Sequence, residues 1–491
     1  MSARADASLA ALLRDAARMH ARRPALTSNG QALSYDELDS LAGRFAGLLR
    51  ARGVERGDRV ALLLPNIPAF AAAYYGALRL GAIVVPLNFL LKRDEIAHRL
   101  ADCGARVVVT LPARDDVSSE RVDPAQAAHA PRIDELTPVD GSGTAVILYT
   151  SGTTGGPKGA ELTHTGLRMV ATTLGRLLDV THEDVVFGGA PLAHVFGMSA
   201  ALNMTVAAGA SVALVERFEA KAALKLIARE HVQVFLGVPT MCIALLAAAE
   251  SAAKAPQLRV AHCGGSPLAV ETLHAFAERF GCEVLEGYGL TEAAGTVTSH
   301  RRGRPVKPGS VGEAIDGTEI RIEEIADGQG EVLARGPGIM RGYWCNEAGT
   351  RAALSADGWL ATGDIGRLDD DGYLFLVDRK KDVIIRGGYN VYPREVEEIL
   401  YKHPAVREVA VVGVPDPVLG EEVVALIVPH DGQSPDRSEL QSFVRERIAA
   451  YKYPRSIVVV DELPRGPSGK VLRREIDRAA LRSVLDQSKG A

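Results

Sequence analysis

The run Tyr149-Thr150-Ser151-Gly152-Thr153-Thr154-Gly155-Gly156-Pro157-Lys158-Gly159 combines glycines, hydroxyl side chains and one lysine. Glycines let backbone amides turn inward, the Ser and Thr hydroxyls add donors, and Lys158 adds a positive charge. That set of groups suits a polyphosphate. The apolar stretch Ala145 to Tyr149 feeds the loop as a strand, and a helix-like stretch is expected after it. The pattern is not a Walker A loop, because Pro157-Lys158-Gly159 stands where Gly-Lys-Ser/Thr would be required.

Two further clusters could act on the same kind of ligand. In Tyr288-Gly289-Leu290-Thr291-Glu292 an aromatic ring, a hydroxyl and a carboxylate meet within one short turn. The ring can stack on a base, the hydroxyl can bond a phosphate, and the carboxylate can hold Mg²⁺. In Trp359-Leu360-Ala361-Thr362-Gly363-Asp364 a carboxylate in a tight turn could accept hydrogen bonds from two ribose hydroxyls. Each cluster taken alone also reads as an ordinary turn.

In this order along nearly the whole chain, these motifs resemble the adenylate-forming superfamily of acyl-CoA synthetases, peptide-synthetase adenylation domains and firefly-type luciferases, most closely bacterial fatty acyl-CoA ligases. The resemblance implies an ATP and AMP site made by Thr150, Ser151, Gly152, Thr153, Thr154, Lys158, Gly264, Gly265, Ser266, Glu286, Gly287, Tyr288, Gly289, Asp364 and Arg379. It implies that Tyr288 stacks on adenine, Thr291 contacts the α-phosphate, and Glu292 with Thr150 serves magnesium. Lys470, in Pro464-Arg465-Gly466-Pro467-Ser468-Gly469-Lys470, would supply the catalytic cation. Lys381 matches the hinge position. Gly387, Gly388 and Tyr389 would line a coenzyme A tunnel. His194, Val195, Phe196, Val238, Gly265 and Tyr288 would surround the acyl group. Without the resemblance, Asp378 to Asp382 reads as a solvated charged connection, Gly387-Gly388 as a hairpin turn, and His194 as a core histidine.

The elements that must position these residues follow an α/β rhythm. Asp36 to Arg52, Ala69 to Leu80, Glu219 to Glu230, Thr240 to Ala249 and Val270 to Phe280 have helical spacing. Arg59 to Leu64, Ile83 to Pro86, Val232 to Gly237 and Leu258 to His262 are short apolar strands. Such alternation predicts two helix-covered, parallel-type sheets. Thr318 to Tyr373 predicts a small antiparallel, barrel-like unit. After the charged run, a smaller α+β unit is expected, which divides the chain into a large domain over 1–380 and a mobile C-terminal domain over 381–491.

Composition narrows the function further. A chain of 491 residues with net charge −5 and interspersed charges argues against a nucleic-acid binder. Five scattered cysteines without C-x-x-C spacing fit a reducing cytoplasm and neither disulfides nor zinc. Val185 to Val215 lacks any Asp, Glu, Lys or Arg, but Pro191, Gly197 and Gly209 break it, so it reads as strand, loop, helix and strand in a buried core, without a transmembrane span. An amino-acid or diacid substrate would need a charged partner there. The expected substrate is therefore an apolar monocarboxylate, a medium- or long-chain fatty acid or a flat aromatic acid. The partner thiol belongs to coenzyme A or to an acyl carrier protein. A non-catalytic nucleotide-binding scaffold is the reading from a different class, and the presence of Glu292 and Lys470 counts against it.

Overall fold

A six-stranded sheet gathers the first apolar runs in the order Arg121–Val122, Val107–Thr110, Arg59–Leu63, Ile83–Pro86, Thr144–Thr150 and Lys158–Thr163. Neighbours are parallel except the last pair. In this computed structural model the described residues are 7–482 apart from 113, 115, 116, 118, 151–156, 251–254, 327, 381, 388 and 467–470. A nine-stranded sheet runs Glu313–Ala314, Thr298–Ser299, Glu283–Tyr288, Val260–Cys263, Val234–Gly237, Val185–Gly188, Ser211–Leu214, Pro24–Ser28 and Gln31–Ser34. Its centre is parallel and its edges antiparallel. The central strands are buried on both faces, as helix-covered parallel sheets must be.

The covering helices start where the sequence offers caps. Tyr35–Ala51 opens on a capping box in which Ser34 accepts from the Glu37 amide and Glu37 reaches back to Ser34. Pro68–Arg79 opens on a proline, whose missing N–H costs nothing there. The barrel-like unit is an antiparallel meander of Glu319–Ala326, Gln329–Arg335, Leu360–Leu368 and Leu374–Arg379. The C-terminal strands form a separate five-stranded sheet with Gly420–Pro429 at its centre, paired along one side with the edge strand Val406–Asp416. Helices Pro393–Leu400 and Arg437–Arg445 bury Val396, Leu400, Leu440 and Val444 against this sheet.

Two local expectations are corrected and a third is refined. The residues after the phosphate loop form a strand, Lys158–Thr163, and the helix begins only at His164, where the Thr163 side chain caps it. The loop therefore joins a β-hairpin in which Thr150 faces Lys158. The helix inside the uncharged Val185–Val215 stretch is mostly a π-helix, Gly197–Met204, a rare form that clusters at functional sites. Asp364 lies within the strand Leu360–Leu368, beside a bulge at Gly363 (φ +72°), not in a tight turn. Among the described residues no helix is long and apolar enough to cross a membrane. All five cysteines are free, four of them buried and Cys345 exposed.

Asn66 fastens the first sheet to the second. Its Oδ1 accepts from the Leu192 amide at 2.8 Å, and its Nδ2 donates to the Ala190 carbonyl at 2.9 Å, all in a buried setting. Asn66→Ala strands both backbone groups and should cost about 2–4 kcal/mol, given roughly 1–3 kcal/mol for each buried unsatisfied group. Denaturant melts of the two proteins measure the difference, and a cost near zero would mean that the two sheets are held by other contacts.

Candidate active site

Strand Glu283–Tyr288 ends at the edge of the parallel core, where backbones come close. A Cβ on Gly289 would sit 2.1 Å from the Gly295 carbonyl, and one on Gly287 would sit 2.6 Å from His262 Nε2. Only glycine fits either place. The chain then makes a single 3₁₀ turn, Thr291–Ala293, which leaves Thr291 and Glu292 half-buried at the surface of the site.

The buried Tyr288 hydroxyl donates to Asp364 Oδ2 at 2.6 Å, and Arg379 Nε holds Asp364 Oδ1 at 3.0 Å. Burial, followed by the Asp364 charge, pushes the phenol well above its ordinary pKa, so it stays a donor. Glu292 Oε1 accepts from the Tyr343 hydroxyl at 2.9 Å. Lys158 Nζ lies 5.1 Å from the centroid of the same Tyr343 ring. The segment carrying Tyr343 runs beside Lys158–Thr163, with Trp344 N donating to Gly159 O at 2.7 Å and Met340 N to Glu292 O at 2.8 Å. Tyr343 thus fixes the phosphate-loop lysine and the Glu292 carboxylate relative to each other. It occupies one carboxylate oxygen only, so Glu292 retains an oxygen of the hard type that magnesium prefers. Among the described residues no group of three or more His, Cys, Asp and Glu could hold a metal by itself. A magnesium here would have to complete its shell with substrate phosphates and water, as this ion usually does.

The acyl residues divide into two places. Phe196 stacks on His262 with centroids 6.1 Å apart, and a Cβ on Gly264 would reach the Phe196 ring at 3.8 Å. Val195 sits against Gly295, and Gly265 takes φ +84° beside Val238. Beyond Val238 opens a cavity of about 830 Å³. Thr240, Ile243, Ala244 and Ala247 line it from one face of helix Pro239–Glu250, Phe89, Pro191, Ala193, Phe218 and Met241 add further apolar wall, and Asn66, Asn88, Glu216 and Arg217 bring polar and charged groups to it. Of the expected acyl residues only Val238 lines this cavity, and His194 is represented by its neighbour Ala193. His194 is only half-buried, and its Nδ1 accepts from the Phe196 amide at 3.3 Å. Arg407, Glu408 and Arg465, all from the C-terminal sheet and its flank, stand at the same cavity. Arg465 pairs antiparallel with Val471, so the two residues flanking the Lys470 segment lie together.

The structure gathers Thr150, Lys158, Tyr288, Glu292, Asp364 and Arg379 into two sets: Thr150 pairs with Lys158, which Tyr343 connects to Glu292, and Tyr288 and Arg379 both hold Asp364. Ser151, Gly152, Thr153, Thr154, Lys381, Gly388 and Lys470 lie outside the described residues. Gly387 is in the turn of a hairpin at φ +58°, with its N–H bonded to Leu419 O at 2.7 Å. The charged run at 378–382 is not simply solvated, because Asp378 is buried. Sequence reading missed Tyr343, Asn66 and the lining face of helix Pro239–Glu250. Only the last left a signal, the small residues Ala244 and Ala247 on one helical face.

Glu286 is buried under this site with its Oε1 unpartnered, and burial raises its pKa from 4.5 to about 7 despite the opposing pull of Arg394. The folded chain therefore keeps this proton where the unfolded chain has lost it. The stabilisation is complete below pH about 4.5 and is lost as pH rises to about 7. Glu286→Gln should flatten the fall in stability across that window, leaving the share of Asp378, which burial raises to about 6. Denaturant midpoints measured across the window check this, and an unchanged slope in the variant would contradict it.

Residues 13–344 match the AMP-binding enzyme family, and residues 395–470 match the AMP-binding enzyme C-terminal domain. A feruloyl-CoA synthase of an Amycolatopsis species is 38% identical over 477 residues, covering 94% of this chain and 97% of that protein. The long-chain-fatty-acid–CoA ligase of Bacillus subtilis (strain 168) is 33% identical over 531 residues, covering 96% and 94%. The crystal structure of ATP-bound MatB from Rhodopseudomonas palustris superposes with a TM-score of 0.91 at 32% identity, covering 98% of this chain and 99% of that one. The chain belongs to the AMP-binding enzyme family, among its AMP-forming acyl-CoA ligases.

Proposed function

We propose that this ligase activates an apolar monocarboxylic acid, a medium- or long-chain fatty acid, to the acyl-adenylate and passes the acyl group to coenzyme A. The observation that carries the choice of acid is the cavity of about 830 Å³ behind Val238, whose wall is largely apolar (Phe89, Phe218, Met241, Ile243, Ala244 and Ala247), with Glu216 and Arg217 also lining it. Each methylene that enters such a wall gains about 0.8 kcal/mol. The acid's carboxylate would then stay near Val238 and Gly265, on the side of Tyr288.

In this reading the 150–158 hairpin and Thr291 hold the phosphates, Tyr288 stacks on adenine, and Asp364 with Arg379 takes the ribose. Glu286, Gly287, Gly289 and the Gly264-Gly265-Ser266 turn close around the base. Glu292, with Thr150 nearby, would hold magnesium, which would supply charge neutralisation at the phosphates. The carboxylate attacks the α-phosphate and pyrophosphate leaves, with Lys470 stabilising the charge that gathers between the two anions. The coenzyme A thiol then attacks the acyl carbon and AMP departs. The smaller domain, taken as 381–491, turns about Lys381 between the two steps, so that Lys470 serves the first and the Gly387-Gly388-Tyr389 face the second. An acyl carrier protein remains the alternative thiol.

A flat aromatic acid is the second reading, favoured by the 38% identity to a feruloyl-CoA synthase and by the aromatic pair Phe196–His262 next to Gly264. A pyrophosphate-exchange panel separates the two. Fatty acids of medium and long chain should outrun benzoate, cinnamate and ferulate. Ala247→Phe should lower kcat/KM for the longest acids by roughly 10–100-fold while sparing short ones, because it fills the distal wall. Ferulate as the best acid, with Ala247→Phe silent, would transfer the assignment to the aromatic class.

A further inference from the structure

Arg473 anchors the chain just beyond the Lys470 segment. Arg473 follows Lys470 after only Val471 and Leu472. Its Nη2 donates to both oxygens of Glu397 at 2.7 Å, and its Nη1 lies 3.4 Å from Asp382 and 3.8 Å from Asp378. Glu397 is itself fixed by the Val411 amide at 2.7 Å. Arg394, on the first turn of helix Pro393–Leu400, is almost fully buried. Its backbone N–H donates to Asp378 Oδ2 at 2.9 Å, its Nη1 donates to the Leu376 carbonyl at 2.8 Å, and its Nε donates to Glu398 at 3.0 Å. Asp378 Oδ1 accepts from the Arg379 amide at 2.7 Å, next to the residue that holds Asp364.

These interactions fall into two sets about position 381. Arg473 to Glu397 and Asp382, and Arg394 to Glu398, lie wholly on the C-terminal side and survive a rotation there. Arg394 to Leu376 and Asp378, and Arg473 to Asp378, cross it and must break. The crossing set is present while Arg465 stands at the cavity beside Val238 and Pro191.

We propose that Asp378 and Leu376, gripped by Arg394 and Arg473, form a latch that holds the C-terminal unit in the orientation that sets Arg465 at the cavity, the one that serves adenylation, and opens for thioester formation. This rests on the two-orientation mechanism above. The residues are positioning residues. None touches substrate, and each acts through the placement of Lys470. A buried, charge-assisted hydrogen bond made in one orientation and broken in the other shifts the balance between them by roughly tenfold or more.

The test compares two half-reactions of the full-length protein: pyrophosphate exchange with the best acid of the panel, and thioester formation from supplied acyl-adenylate and coenzyme A. Asp378→Asn and Arg394→Met should each lower exchange by about tenfold while thioester formation is kept or raised. Arg394→Met leaves Asp378 in place, so it carries the test if Asp378→Asn fails to fold. Equal loss of both half-reactions, or unchanged exchange, overturns the latch while wild-type activity leaves the two-step reading intact. Wild-type protein silent in both half-reactions overturns that reading and the latch with it.

Discussion

One carboxylate, Asp364, ties three parts of the molecule together. It receives the Tyr288 hydroxyl from the last strand of the parallel core and the Arg379 guanidinium from the end of the meander, and it is itself carried on the bulged strand between them. A buried carboxylate is tolerable only with such partners. This pair of interactions fastens the end of the parallel sheet to the meander, at the strand that leads to the C-terminal sheet. The proposed nucleotide site lies where these three meet, so its precision depends on Asp364 more than on any single loop.

The remaining groups extend from that point in two directions. On one side Tyr343 ties Lys158 to Glu292, which places a cation and a carboxylate at the mouth of the phosphate hairpin with no need for a Walker-type helix. On the other, glycines at 264, 265, 287 and 289 let backbones approach where a side chain would fill the space, and the apolar cavity begins just behind them. Polar chemistry and apolar binding are thus separated by a few residues. Under the proposed function, burial of the acyl group there would help orient a carboxylate that is itself poorly reactive.

Much of the fold was legible because apolar periodicity and turn residues agree with it: the helices at Tyr35–Ala51 and Val270–Phe280 and the strands at Ile83–Pro86 and Val234–Gly237 follow their patterns closely. The strand after the phosphate loop was misread because Lys158–Thr163 is short and half-polar and is stabilised by pairing on both sides, with Thr144–Thr150 and with the Tyr343 segment. Asp364 was placed in a turn because Thr-Gly-Asp is turn-like, whereas the cross-strand ladder absorbs it as a bulge. Tyr343 and Asn66 gave no signal, since their roles arise from partners about 50 to 190 residues away in sequence. The burial of Asp378 was hidden for the same reason. A charged run looks solvated until the arginines that neutralise it, Arg394 and Arg473, are brought in by the fold.

The central claim is that this geometry joins a carboxylate oxygen to the α-phosphate of ATP. The most direct measurement uses a fatty acid labelled with heavy oxygen in its carboxylate and follows the label by mass spectrometry through one round of thioester formation. The account predicts one labelled oxygen in the AMP released with each thioester. Label in inorganic phosphate, or AMP without label, would contradict it.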